Sequence, residues 1–390
     1  MKKFFILLLF LLYGVLSVYA IEEEGLEDIG IAKYAVIEAK ADFSPVREAP
    51  DENAKRFLHL RKGFVTYADK EYKNFYRIDL GKDKYYWMEK KYADIQAIIP
   101  QKRIQKAEQI KISEDKKKYS IFIPLEIQNS YSFKEVPDGL EFYLYDTDAK
   151  NAEIKNKTHC FTFSYPKDNI LKVKYITPAL FGYEVFAHKK GLIVEIKKPP
   201  EINRKKPLKN IKIVLDPGHG GVDPGVCASG IKEKDINLKV SKQIRNALKK
   251  RGAKVYMTRK KDKYISLYDR VHFAQEKQGD ILLSIHQNST LQKNQQKHGT
   301  GTYYYNNQAL ALASNIQKIT AGETKLKDDG INRASFALTR PTYPVSVLVE
   351  CVYLTNKEDV QKITNKKFQK SFSHALAKGV ENYLRYLIVF

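Results

Sequence analysis

Apolar and polar positions recur in two different rhythms along this chain. Up to about Ile95, short apolar and aromatic runs such as "AVIEAKADF", "GFVTYA", "NFYRIDLG" and "KYYWMEKKYA" are broken by polar turns. That spacing predicts a small barrel of short strands over residues 31–96. From Tyr119 the alternation is stricter: Ile121, Ile123, Leu125 and Ile127 fall on one face, and Leu140, Phe142 and Leu144 repeat the pattern after a Pro137-Asp138-Gly139 turn. "HCFTFSY", "NILKVKYI", "GYEVFAH" and "GLIVEIK" continue it, so residues 110–198 read as a second all-β module of sandwich type. The segment 199–209, with Pro199, Pro200 and Pro207 among lysines, predicts an extended linker.

Beyond the linker, over 210–390, strand-only patterning gives way to alternating strand and helix. Strands are predicted at Ile211 to Leu215, Lys254 to Thr258, Ile281 to Ile285, Gly301 to Tyr305, Phe336 to Leu338 and Val345 to Cys351. Helices are predicted from Asp235 to Arg251, stopped by Gly252; from Ser266 to Lys277, stopped by Gly279; from near Asn307; and from Lys366 to Tyr386. In the first of these, Val240, Ile244, Ala247 and Leu248 form an apolar stripe opposite a lysine-rich face. Strands bracketed by such helices imply an α/β domain, a mixed and mostly parallel sheet with helices on both faces, preceded by two small all-β modules.

The first residues change the picture of where this chain works. Lys2 and Lys3, an apolar run from Phe4, and Val18 and Ala20 in a small-x-small arrangement predict a secretory signal peptide over 1–20. The alternative, an uncleaved anchor, is disfavoured by an apolar run that is short against the roughly 20 residues of a bilayer span, and no later segment reads as a membrane span. Removing the two lysines lowers the formal charge only from +23 to +21. Such a chain favours polyanionic surroundings, and export selects anionic wall polymers over nucleic acid. Cys160, Cys227 and Cys351 are too few and too far apart for a disulfide framework, and are expected to be free, buried small hydrophobes. A hydrophobic fraction of 43% with 12% aromatics builds real cores and excludes a disordered chain.

In α/β sheets, reactive groups gather at the carboxyl ends of strands. His219 follows the strand ending at Leu215, in "IVLDPGHGGVDPG", and His286 ends "DILLSIH" in the same way. Glu233 opens the first long helix, and Glu350 closes the apolar strand "VSVLVE". Each has an ordinary reading by itself, as a structural histidine or a helix-start carboxylate. Glu350 is harder to dismiss, because a carboxylate buried alone costs several kcal/mol. Imidazole and carboxylate oxygen suit divalent zinc, and a catalytic zinc takes three protein ligands. One glutamate is then left for proton transfer, and spacing does not decide which.

The series "IVLDPGHGGVDPG", "GIKEKDINL", "YMTRKKDKYISLYDRV", "LLSIHQNS", "GTGTYYY" and "ASFALTRPTYPVSVLVECVYLTN" resembles, in order, the zinc-dependent N-acetylmuramoyl-L-alanine amidases of bacterial cell-wall metabolism. The resemblance implies zinc held by His219, Glu233 and His286, Glu350 as the catalytic carboxylate, and peptidoglycan as substrate, cut between N-acetylmuramic acid and L-alanine. It also implies a place in the periplasm or the outer wall. Asn288 is a candidate for contacting substrate or ordering the metal's surroundings, and Arg340 for meeting a peptide carboxylate. The first module, with "SPVREAP", "LRKGFVTY" and a Tyr86-Trp87 pair, resembles bacterial Src-homology-3-like targeting domains, which implies binding through exposed aromatics unless these are core.

"HQNS" departs from the smaller residues that usually follow the second histidine, which bears on the cleft's local shape. Between that histidine and the final glutamate strand the chain offers only "TLQKNQQKHG" and one ordinary helix, so a site free of a blocking helix is expected. Two competing readings remain: a zinc peptidase acting within the stem peptide, and a wall-binding protein whose catalytic fold is inactive.

Overall fold

The computed structural model describes residues 27–28, 34–79, 85–155, 158–228, 230–290 and 296–388; the expected leader at 1–20 lies outside them. The first module is an antiparallel sheet whose order along the chain's strands runs Arg56–Leu60, Ser44–Arg47, Tyr85–Glu89, Phe75–Asp79, Val65–Tyr72, Tyr34–Ala39 and Ala93–Ile99. Among the described residues no pairing joins the first of these to the last, so the strands form an open path. Trp87 is 1% exposed and belongs to the core, and Tyr86 is half-buried with its ring stacked 3.9 Å from Phe57. The tyrosine-tryptophan pair is therefore structural, which corrects its reading as a surface binder: burying an indole removes more apolar area from water than almost any other side chain.

The second module pairs a five-stranded sheet with a four-stranded one. Ile121, Ile123, Val194 and Ile196 from the first and Leu140, Phe142, Leu171 and Val173 from the second are all buried, as strict alternation requires. Phe64 meets Tyr131 edge-on at 5.0 Å, and one apolar cluster runs without interruption through both β-modules.

The third part carries the site. Its elements are β1 (Lys212–Pro217), α1 (Glu233–Lys250), β2 (Lys254–Met257), α2 (Leu267–Glu276), β3 (Ile281–Asn288), β4 (Thr300–Tyr304), α3 (Leu310–Thr324), β5 (Asp328–Arg333), β6 (Val345–Tyr353), α4 (Lys357–Thr364) and α5 (Lys366–Ile388). The sheet order is β2-β1-β3-β6-β4-β5, and every neighbouring pair is parallel except β4 with β6. Ile213, Leu215, Ile281 and Leu283 face α1, α3 and α5, whereas Val214 and Leu282 face α2. Burial on both faces explains why these strands read as continuous apolar runs. No described helix is long and apolar enough to cross a membrane.

Three expectations are corrected. Phe336 to Leu338 is a turn, pinned by Thr339, whose hydroxyl donates to the Ala334 oxygen at 2.6 Å and accepts from the Phe336 amide at 3.0 Å. The edge strand is instead Asp328–Arg333, whose "DDGINR" sequence carries no strand propensity and is held by pairing with β4. Among the cysteines only Cys351 is buried; Cys160 is half-buried and Cys227 exposed. The 199–209 segment is not freely extended: the Asn203 side chain accepts from the Lys205 and Lys206 amides, and Leu208 is fully buried in the α/β core.

Candidate metal centre

The carboxyl ends of β1, β3 and β6 lie side by side, and the turn after β1 folds back across them. His219 sits in that turn with φ of 58°, a left-handed conformation that an L-residue holds only when its surroundings fix it. Two of the nearby glycines are there for lack of room. A Cβ on Gly218 would lie 2.2 Å from Cε1 of His286, and one on Gly225 would lie 2.5 Å from Oε2 of Glu233. The glycine-rich sequence around His219 thus lets backbone press against the side chains of His286 and Glu233.

Glu233 is 2% exposed at the first position of α1. Its Oε2 lies 3.1 Å from Nε2 of His219 and its Oε1 lies 3.0 Å from Nδ1 of His286. The two imidazoles stand nearly perpendicular, centroids 4.9 Å apart. One donor atom from each of the three residues falls within 4.8 Å of the others, and no second such group occurs among the described residues. His219 and His286 keep 25% and 16% of their side chains exposed, so solvent reaches the group. Glu233 also accepts from the Val226 and Gln287 amides and from the Asn237 side chain, at 3.0, 3.1 and 3.1 Å.

The electrostatics follow from that packing. Burial works against the Glu233 carboxylate, but hydrogen bonds and charge from His219 and His286 outweigh it and hold its pKa well below the usual range. Burial likewise opposes charge on His219, yet Glu233 and Asp223 raise its pKa. Glu350 behaves in the opposite way. It is the ladder partner of His286, but its Oε2 is closed to solvent with no hydrogen-bond partner among the described residues. Burial pushes its pKa up to about 7; the two histidines pull it down and Glu233 adds to the rise.

The surrounding support was invisible to spacing arguments. Asp223 Oδ2 lies 2.8 Å from Nδ1 of His219, orienting the ring from its far side. Two buried arginines hold the turn: Arg270 donates to the oxygens of Pro217 and His219 at 2.8 and 2.9 Å, and Arg259 to those of Pro217 and Gly218 at 2.9 and 2.8 Å. Arg270 also pairs with fully buried Asp216 at 2.8 Å, which accepts from Thr258 and Ser284. Asp216 and Asp223 lie in "LDPGHGGVDPG" and the arginines in "TRKKDKYISLYDR", so the segments were readable as motifs but their tasks were not.

Asn288 ends β3 beyond a register shift that follows His286, and its side chain accepts from the Ser289 amide at 2.8 Å. Arg340 does not join the three-residue group. It donates to the Ser335 oxygen at 2.7 Å and lines a cavity shared with both β-modules. The helix between His286 and Glu350, α3, packs against α5 and the sheet through Leu312, Ala313 and Ile316. Residues 291–295 of the preceding segment lie outside the described residues.

Residues 213–382 match the family described as N-acetylmuramoyl-L-alanine amidase, Amidase_3. The uncharacterized protein YqiI of Bacillus subtilis is 32% identical over 182 residues, covering 46% of this chain and 87% of that protein. The N-acetylmuramoyl-L-alanine amidase LytC of the same organism is 32% identical over 185 residues, covering 46% of this chain but 37% of LytC. Among solved structures, an N-acetylmuramoyl-L-alanine amidase from Clostridium difficile 630 is 34% identical with a TM-score of 0.44, covering 45% of this chain and 97% of that one.

Proposed function

The chain belongs to the N-acetylmuramoyl-L-alanine amidase family, and from that membership we propose that it cleaves peptidoglycan between N-acetylmuramic acid and the L-alanine of the stem peptide, using zinc held by His219, Glu233 and His286 and proton transfer by Glu350. Two imidazole nitrogens and a carboxylate oxygen converging from separate elements form the donor set zinc accepts, and Asp223 supplies the outer hydrogen bond that a metal-bound histidine ordinarily has. A zinc ion held by these residues would supply Lewis-acid polarisation of the scissile carbonyl and would lower the pKa of water toward about 7.

The chain's own residues do the rest. Glu350 accepts a proton from the attacking water and passes it to the nitrogen of L-alanine as the carbon–nitrogen bond breaks. A lactyl carboxylate and a free amino group result. A carboxyl that titrates near neutrality suits both halves of that transfer, and the observation that carries the reading is Glu350 itself, a carboxylate with an unpartnered oxygen beside a ready-made donor set. The Arg259 and Arg270 guanidiniums, donating to the Gly218 and His219 oxygens, keep His219 in its left-handed turn. An excess of positive charge, +23 over the full chain, draws the enzyme to an anionic wall.

Mass spectrometry of purified peptidoglycan digested by the full chain tests this. Intact glycan with free stem peptides beginning at L-alanine is the expected outcome. Shortened peptides would indicate a peptidase, and an absence of products would leave only wall binding.

A further inference from the structure

A cavity of about 280 Å³ lies where the two β-modules meet the α/β domain. From the first module Phe43 stacks on Tyr268 of α2 at 5.8 Å, and Arg56, Phe57 and His59 form one wall. From the second module Glu135 accepts from the Gln308 amide and the Tyr183 hydroxyl, both at 3.0 Å. The α/β domain adds Arg340 from the turn before β6. The Tyr305 hydroxyl donates to the Arg56 oxygen at 3.1 Å, so the first module is tied to the wall it helps to build.

Charge in this cavity is unbalanced. Its two carboxylates are satisfied, Glu135 as described and Glu184 by the Arg61 guanidinium and by Gln275 at 2.8 Å. Among the described residues the Arg56 guanidinium has neither hydrogen bond nor ion pair, and Arg340 has only the Ser335 oxygen. Both are half-buried: burial first, then Arg56, lowers the Arg340 pKa to about 10, and His59 is driven down to about 3 by burial and then by Arg340 and Arg56. Two guanidiniums crowded without a counter-charge call for an anion. Ala337 in the cavity wall follows Phe336, whose ring lies 5.5 Å from that of Tyr303, and burial first, then the charge of Glu350, raises the Tyr303 pKa.

We propose that Arg56 and Arg340 form a composite anion site, built across the module boundary, that takes an oxyanion of the wall, either a stem-peptide carboxylate or a phosphate of a wall-attached polymer. The inference rests on the amidase reading for its substrate but not for its test. Its consequence is that the first β-module contributes directly to substrate grip beside the catalytic domain.

The test uses the full chain carrying Glu350→Gln, so that sacculi bind without being cut, and compares Arg56→Gln and Arg56→Lys in that background. Arg56→Gln should weaken binding to intact sacculi about tenfold, the loss of one charge-assisted contact, and Arg56→Lys should retain more of it. Thermal unfolding of each variant verifies the fold. Blocking sacculus carboxyls by amidation, or stripping phosphopolymer with acid, identifies the source: the treatment that removes the difference between Arg56→Gln and its parent names the anion. Equal binding by parent and Arg56→Gln overturns the site, as does a difference that survives both treatments. Because binding is read without turnover, a chain that binds through Arg56 yet releases no L-alanine peptides separates failure of the amidase reading from failure of this one.

Discussion

His286 and Glu350 are direct ladder partners on the adjacent parallel strands β3 and β6, so their side chains leave the sheet on the same face. One turns to Glu233 and the other keeps an oxygen unpartnered. That contrast has a pH signature in metal-free protein. Glu350 titrates near 7 when folded against 4.5 ordinarily, so its desolvation costs nothing below pH 4.5, grows between the two values and is complete above about 7. The full cost is on the order of 3 kcal/mol. Glu350→Gln removes it, and chemical denaturation should find the metal-free variant more stable than wild type at pH 8 and equal to it at pH 4. Equal stability at both would contradict the burial of this carboxylate.

Asp223 meets Nδ1 of His219 from the side away from Glu233, and would act through that ring on a zinc ion held there. Asp223→Asn should lower zinc affinity about 10- to 100-fold while leaving the ligand set intact. Competition with a chromogenic chelator reads this directly; unchanged affinity would mean that the contact does not orient the ring.

Gly218→Ala places a methyl 2.2 Å from an atom of the His286 ring, a separation no relaxed structure holds. The variant should keep its far-ultraviolet circular dichroism and lose bound zinc and activity together. Retained zinc would show that the turn yields more readily than its arginine supports suggest.

Arg270→Met leaves Asp216 charged, fully buried and short of its strongest partner. Breaking a buried pair in this way costs about 3–5 kcal/mol, measurable as a drop in the denaturation midpoint of the α/β unit. A loss below about 1 kcal/mol would place the pair among contacts of surface strength.

The strands and helices that sequence revealed best are those whose burial has a simple period. β1, β3 and β6 are covered on both faces and read as unbroken apolar runs, and α1 shows its stripe at Val240, Ile244 and Leu248. β5 was missed because an edge strand of aspartates, glycine and asparagine is specified by its partner, not by its own residues. Conversely, Phe336 and Leu338 alternate like a strand but are captured by a local Thr339 hydroxyl turn. At the site, residue type and position at the ends of strands or the start of a helix singled out His219, Glu233, His286 and Glu350, because those groups are costly to bury without a task. Asp223, Arg259 and Arg270 serve by contacting backbone or a ring's far nitrogen, relationships that exist only once the turn has closed. Arg340 was noticed for its charge, but its setting depends on Arg56, distant in sequence and supplied by another module.

The division of labour between the two glutamates is what everything else depends on, and metal stoichiometry measured alongside turnover tests it. Purified wild type, Glu233→Gln and Glu350→Gln would be assayed for zinc per chain by atomic absorption and for release of L-alanine peptides. Wild type should hold one zinc and be active; Glu233→Gln should lose most of its zinc; Glu350→Gln should keep its zinc and lose about 10²- to 10⁴-fold in turnover. A Glu350→Gln protein that loses its zinc, or one that keeps both zinc and activity, would contradict the assignment.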